Sequence, residues 1–479
     1  MTIEHIHNWV NGEACAAYDG QWIENVNPAN GDVINLMPRS SEQDAFDAVA
    51  AAHDCYLRGG LGNAGAGGLT VSQRSELLMA VADAMSDRLE EIAHAESLDS
   101  GKPFLNALNG DVPRAIDNLR FYAKAVVSQT TPSVAATNSI NYVLRQPLGA
   151  VSLITPWNFP IHLLTWKVGP AIAMGNSVIA KPSELTPTTA SILGQLFAEV
   201  GAPEALFNVM HGYGNEVGDA LVRHPHVKAI SFTGGTATGK TIASVAAPLL
   251  KKTSFELGGK NPSVVFADCD LPQTIATVAR AAFFNSGQVC LCGSRVLVEA
   301  SLFDDFVDAL AEQALLYRDQ IGPLISTQHR QKVKSYVELA MQEGGEVVAG
   351  GSSFGDEAGA YFEPTVIVNL DHECRTVQEE IFGPIVTVHP FDDDDHALEL
   401  ANDSEFGLAA SVFTSNLQRA HHFAERIQSG MVWVNDWNLR DLRVPFGGVK
   451  QSGVGREGGE YSLNFFSQDR NICVRYDYD

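Results

Sequence analysis

Three observations predict a doubly wound α/β fold. From Gly149 onward, short β-rich runs alternate with helical ones, the pattern of parallel strands joined by crossover helices. The 479-residue chain is 45% hydrophobic and only 19% charged, with 42 glycines, which suits a folded α/β protein of two or three domains. No short internal repeat appears, so solenoids and propellers are set aside.

The elements follow in order. Residues 150–154 form an apolar run that ends at Thr155-Pro156 and reads as a buried strand. Residues 167–174 read as a helix and 177–180 as the second strand. Residues 186–200 read as a helix, opened by Thr and Pro and closed by Gly201. A strand at 207–210, a helix at 215–223 and a strand at 229–232 come next. After Gly234-Gly235 a helix is expected over 239–249. Ligands on such a sheet sit beyond the carboxyl ends of its strands, and Trp157, Lys181, Glu184 and Gly234 all fall there. The N-terminal third differs: 41–58 and 72–99 read as amphipathic helices that cover the sheet. Between them, residues 58–68 hold six glycines and read as an exposed loop. A second α/β block begins near Leu257 and runs to about Gln451. Residues 465–478 read as a strand with little to bury alone, which is expected to pair with another subunit.

Charge and cysteines narrow the function. Acids outnumber bases 57 to 32, a formal charge of −25. Nucleic acid and anionic membranes both need a basic face and are excluded as partners. No apolar run reaches the ~20 residues of a membrane helix. The first residues lack a basic segment followed by an apolar one, so a cytoplasmic location is expected. The run Asp392-Asp393-Asp394-Asp395 sends consecutive side chains in different directions and reads as a solvated loop, not a metal site. Cys15, Cys55, Cys269, Cys290, Cys292, Cys374 and Cys473 are odd in number and scattered, which is no disulfide framework. Cys290 and Cys292 lack the second pair or the histidines that zinc requires, so no metal is expected.

Three segments carry chemistry. Phe284-Asn285-Ser286-Gly287-Gln288-Val289-Cys290 presents a thiol just after a flexible Gly-Gln step. Phe255-Glu256-Leu257-Gly258-Gly259-Lys260 supplies an acid, and Pro156-Trp157-Asn158-Phe159-Pro160 a side-chain amide. A soft nucleophile with a carboxylate base can attack a carbonyl, hold a thioester and hydrolyse it, and the amide can stabilise an oxyanion. Lys181-Pro182-Ser183-Glu184 closes the second strand. An acid at that place accepts hydrogen bonds from a ribose diol and repels a 2′-phosphate, favouring NAD over NADP. Gly234-Gly235-Thr236-Ala237-Thr238-Gly239 opens a helix whose amides could face a pyrophosphate, although the G-x-G-x-x-G and P-loop spacings are both absent.

These segments, with Phe232-Thr233-Gly234, Glu379-Glu380-Ile381-Phe382-Gly383-Pro384 and Pro445-Phe446-Gly447-Gly448, resemble the aldehyde dehydrogenase family over nearly the whole chain. The resemblance implies a Rossmann-like NAD-binding domain at 1–123 and 148–256, a catalytic domain at 257–452, and an oligomerisation element at 124–147 and 465–479. It also implies a homodimer or homotetramer. It places the nucleophile on Cys290, the general base on Glu256, and the oxyanion hole on Asn158 and the Cys290 amide. Lys181 and Glu184 would hold the adenosine ribose, Trp157 would lie toward the adenine end, and Glu380 and Phe382 would meet the nicotinamide ribose. Ile154, Ser183 and Gly234 complete the expected cofactor contacts. The chain departs from the pattern at Gly235, where the family commonly has Ser, and in the short loop Tyr317-Arg318-Asp319-Gln320.

Segments 163–167, 290–295 and 435–443 look closest to the branch of this family that oxidises 2-hydroxymuconate and 2-aminomuconate semialdehydes. That likeness implies that Arg114, in Asp111-Val112-Pro113-Arg114, and Arg440, in Leu439-Arg440-Asp441-Leu442, face a substrate carboxylate. An anionic semialdehyde entering so acidic a protein needs a guanidinium fork. The alternative is a broad dehydrogenase for neutral aliphatic or aromatic aldehydes. His162, beside the oxyanion asparagine, is less typical of the branch and is expected to shape the pocket differently.

Overall fold

The computed structural model describes residues 3–59 and 65–476; residues 60–64 of the glycine-rich loop and 477–478 of the expected tail strand lie outside them. Two large sheets organise the chain. In the first, five parallel strands lie in the order Lys252–Glu256, Val227–Thr233, Ala150–Ile154, Ser177–Lys181, Phe207–Val209. Antiparallel strands flank them: Gly453–Val454 beside Lys252–Glu256, and Asn8–Val10 then Glu13–Cys15 beyond Phe207–Val209. These strands read as continuous apolar runs because both sheet faces are covered. Successive residues serve opposite faces: Val178 and Ala180 enter one core cluster and Ile179 the other.

The second sheet has seven strands, all parallel except the edge strand Glu346–Ala349. Its central strands, Pro262–Val265 and Arg295–Glu299, lie on either side of the segment that carries Cys290. A third, three-stranded sheet joins Ser133–Ala135, Ser139–Pro147 and Ser467–Arg475. The tail strand therefore pairs antiparallel over nine residues with its own chain, and what it offers another subunit is its outer edge.

Several boundaries differ from expectation for identifiable reasons. The single helix expected over 72–99 is two, Val71–Asp87 and Leu89–Ser100, because Arg88 leaves helical geometry at φ −110° and ψ 24°. The helix expected from 167 begins at Pro160, where proline fits the first turn because its missing N–H is not needed. The helix expected from 239 begins at Thr236. The aspartate run is not a loop: the Asp393 side chain accepts from the His396 amide and caps the helix Asp394–Asn402.

Candidate active site

Strand order in the first sheet reverses between Ala150–Ile154 and Val227–Thr233, the place where open α/β sheets bind ligands. A cleft of about 450 Å³ opens there. Ile154, Trp157, Lys181, Ser183, Glu184, Gly234, Glu380 and Phe382 line it together with Cys290, Glu256 and Asn158. Every residue singled out for catalysis or cofactor contact therefore meets in one cleft.

The cofactor side fits a dinucleotide. Gly235 caps the helix Thr236–Ala246 without a side chain, leaving the first-turn amides for an anion. A Cβ on Gly234 would lie 2.5 Å from the Phe232 ring, so glycine is needed there. At Gly235 a Cβ would meet nothing within 4 Å, so its departure from Ser costs no packing. Lys181 Nζ stands 3.3 Å from Glu184 Oε2, the carboxylate expected to meet a ribose. Glu380 accepts from the Gly259 amide at 3.0 Å, and a Cβ on Gly258 would fall 2.2 Å from its Oε2. The Trp157 ring packs edge-on against Phe382 at 5.3 Å and against His329 at 5.6 Å, so Trp157 and Phe382 meet the same part of the cleft.

Cys290 follows a tight turn. Asn285, Ser286 and Gly287 take φ of 50°, 57° and 70° in succession, and a Cβ on Gly287 would strike the Gly383 carbonyl at 2.1 Å. Asn261 Nδ2 donates to the carbonyls of Cys290 (2.8 Å) and Cys292 (2.9 Å), and Trp437 Nε1 donates to that of Leu291 (2.8 Å). The loop is held by its carbonyls, and among the described residues the Cys290 amide donates to no backbone carbonyl. Burial pushes the thiol up to about 12; the Glu380 and Glu256 carboxylates add to the shift and Arg440 opposes it.

Asn158 is anchored at both ends. Its Nδ2 donates to the Gln288 carbonyl at 3.0 Å, which leaves the second N–H for the space before Cys290. Its backbone carbonyl accepts from Lys102 Nζ at 3.1 Å and from Asn285 Nδ2 at 3.2 Å. Asn285 Nδ2 also reaches the Gln288 carbonyl at 3.3 Å, tying the asparagine to the cysteine loop. Lys102 is itself buried, bonded to Asp111 and 4.0 Å from Glu96. Sequence reasoning missed Lys102, Asn285 and Gln288. The last two stand inside the motif that ends at Cys290, whereas Lys102 carried no local signal.

Glu256 is buried, and neither carboxylate oxygen finds a hydrogen-bond partner among the described residues. Burial raises its pKa well above the ordinary carboxylate value; the Glu457 carboxylate adds to this, and Lys167, Arg456 and Arg440 oppose it. Behind it, Lys167 Nζ donates to Glu457 Oε1 at 2.5 Å and to Ser231 Oγ at 2.9 Å. This Lys167–Glu457–Ser231 group was also missed, since its members are scattered along the chain.

Arg114 and Arg440 do not line this cleft; they lie close enough to act on each other, and Arg440 also acts on Cys290. Arg440 lies over the rings of Phe446 (4.1 Å) and Trp166 (5.4 Å). Its pKa is lowered to about 10 by burial and by the neighbouring Arg114, while Cys290 and Glu256 act to raise it. Arg114 Nη2 is buried without a hydrogen-bond partner, and among the described residues neither arginine has an ion pair. Asp117 and Asp441 attract Arg114, and Glu256 and Glu457 attract Arg440, but none pairs with either guanidinium, which leaves their donors for a ligand's anion.

Comparison with known proteins matches residues 15–472 to the model of the aldehyde dehydrogenase family. A 2-aminomuconic 6-semialdehyde dehydrogenase of a Pseudomonas species is 46% identical, over 96% of this chain and 97% of that protein. A 2-hydroxymuconic semialdehyde dehydrogenase of Pseudomonas sp. strain CF600 is 43% identical, over 99% and 100%. Among solved structures, betaine aldehyde dehydrogenase from Staphylococcus aureus in complex with NAD+ superposes with a TM-score of 0.95 at 35% identity, covering 99% of this chain and 95% of that one. The NAD+ complex of an aldehyde dehydrogenase from Bacillus cereus does so with the same score at 36% identity, covering 99% and 97%.

Proposed function

The chain belongs to the aldehyde dehydrogenase family, NAD-dependent oxidoreductases of aldehydes, and from that premise we propose that its substrate carries a carboxylate at the end remote from the aldehyde. A 2-hydroxymuconate or 2-aminomuconate semialdehyde fits. The observation that carries the reading is the Arg114–Arg440 pair, partly withdrawn from water, with no ion pair among the described residues and with Arg440 close enough to Cys290 to act on its thiol. The two named relatives support it.

The residues divide the work as follows. Glu256 as carboxylate takes the Cys290 proton, and the sulfur forms a C–S bond to the aldehyde carbon. Asn158 Nδ2 and the Cys290 amide hold the oxygen that becomes anionic; losing one such donor costs ~10²–10³ in rate. Lys181, Glu184, Glu380 and Phe382 would hold NAD, which when bound would accept the hydride from this carbon. The acyl group then remains on Cys290 as a thioester. Once the first proton has passed from Glu256 to solvent, the carboxylate takes a proton from water, the water oxygen attacks the carbonyl under the same two donors, and the C–S bond breaks to return the thiolate and the acid.

The two large sheets support a division at Glu256–Leu257 into a dinucleotide-binding unit and a catalytic unit. The outer edge of Ser467–Arg475, with Val474 43% exposed, supports a homodimer or homotetramer built on the third sheet. All seven cysteines are free, which fits a cytoplasmic enzyme, and no helix of the described residues is long and apolar enough to cross a membrane.

NADH formation at 340 nm with 2-hydroxymuconate semialdehyde, beside benzaldehyde and hexanal, tests the proposal. Arg440→Ala should raise KM for the anionic substrate at least about tenfold while sparing hexanal. Equal losses on both substrates would return the chain to the broad-specificity alternative.

A further inference from the structure

We infer that His162 determines specificity: its imidazole takes a hydrogen-bonding substituent, such as a hydroxyl, oxo or amino group, on the carbon beside the substrate's remote carboxylate. This rests on the carboxylate reading above and narrows its substrate class.

The position follows from two helices. His162 stands in the first turn of Pro160–Ala173, one turn before Trp166, so those two side chains share one face of the helix. Arg440 lies over the Trp166 ring, 5.4 Å from its centroid. Asn158 lies just before the residue that caps this helix, Phe159. The helix Val112–Val127 packs alongside: Asn118 Nδ2 donates to the His162 carbonyl at 3.1 Å and to Thr165 Oγ1 at 3.2 Å. Arg114 is one turn before Asn118. Helical side chains lean toward the helix N-terminus, and the His162 ring accordingly meets Phe159, with centroids 5.9 Å apart. The imidazole thus lies between the reacting end of the site and the two guanidiniums.

Chemistry decides what it can bind. Burial and the positive charges of Arg440, Arg114 and Lys102 all disfavour its protonation. The ring is therefore neutral and presents one N–H donor and one bare nitrogen acceptor. Among the described residues neither nitrogen makes a hydrogen bond, and His162 is only half-buried. A filler between Phe159 and Trp166 needs no polar atom, whereas this half-buried ring keeps both nitrogens open to a ligand. A third cation would compete with the arginines for one carboxylate, whereas a neutral ring complements a neutral polar group next to it.

The test compares 2-hydroxymuconate semialdehyde with 6-oxohexanoate, which has the same chain length and end groups without the hydroxyl. His162→Leu should lower kcat/KM for the hydroxylated substrate by about tenfold and for 6-oxohexanoate by less than about twofold. His162→Gln, which keeps a donor and an acceptor, should recover part of the loss. If His162→Leu does not fold, His162→Met carries the same comparison. Equal losses on both substrates, or none on the hydroxylated one, overturn the inference, and the carboxylate reading survives if Arg440→Ala still discriminates. A wild-type enzyme that prefers hexanal to both anions overturns both.

Discussion

Asn285→Ala is expected to lower kcat about tenfold while leaving KM for aldehyde and NAD within about twofold. The Asn285 carboxamide donates to the carbonyls of Asn158 (3.2 Å) and Gln288 (3.3 Å), and Asn158 donates to the same Gln288 carbonyl at 3.0 Å. Truncation orphans neither acceptor: Asn158 keeps Lys102, and Gln288 keeps Asn158. Two long neutral hydrogen bonds contribute about 1–3 kcal/mol. Placing alanine at φ 50° costs about 1–2 kcal/mol more. The fold should survive with Tm lowered by a few degrees. Outright loss of an oxyanion donor costs ~10²–10³, and an asparagine that keeps part of its anchorage should lose only a fraction of that. The assay is a double-mutant cycle in kcat with Asn158→Ala. If Asn285 acts only through Asn158, the double variant is no slower than Asn158→Ala within about twofold. A further tenfold loss in the double variant would refute the reasoning and give Asn285 a role of its own.

Two other perturbations read the electrostatics. After burial, the Glu457 carboxylate is the largest influence raising the pKa of Glu256, so Glu457→Gln should move the rising limb of the pH–kcat/KM profile toward acid; an unmoved or alkaline-shifted limb would remove Glu457 from the base's environment. His211 is buried with both ring nitrogens unpartnered, and burial lowers its pKa to about 3. Below its unfolded pKa of about 6.5 the unfolded chain takes a proton that the folded chain refuses, so wild-type stability is lost as pH falls toward 3. His211→Leu should therefore gain Tm relative to wild type between pH 8 and pH 5, and a constant difference would contradict the shift.

The parallel strands were legible because burial on both faces writes them as unbroken apolar runs, as in Val178-Ile179-Ala180. That Cys290, Glu256 and Asn158 share one cleft was foreseeable because each sits in a compact local motif. What supports them was not. Lys167 and Glu457 meet across 290 residues, and Lys102 reaches Asn158 across 56, so no local pattern records either contact. Helix starts slipped where one residue decided them: Pro160 opens its helix without needing an N–H, and Arg88 breaks a pattern whose apolar periodicity continues on both sides. An aromatic residue at a strand end does not say which neighbours it meets, so the contact of Trp157 with Phe382 was not legible.

The walls around Cys290 arrive late. Arg440, Gly447 and Glu457 shape its surroundings and those of Glu256, yet a ribosome reaches Glu457 on the order of 10–30 s after Cys290 at ordinary rates of synthesis. Until then the cysteine is an ordinary thiol with a pKa near about 8.5, well below the value of about 12 it takes in the finished site. The nascent chain therefore carries more thiolate at neutral pH than the completed enzyme does. Completion of the fold favours the protonated form of this sulfur.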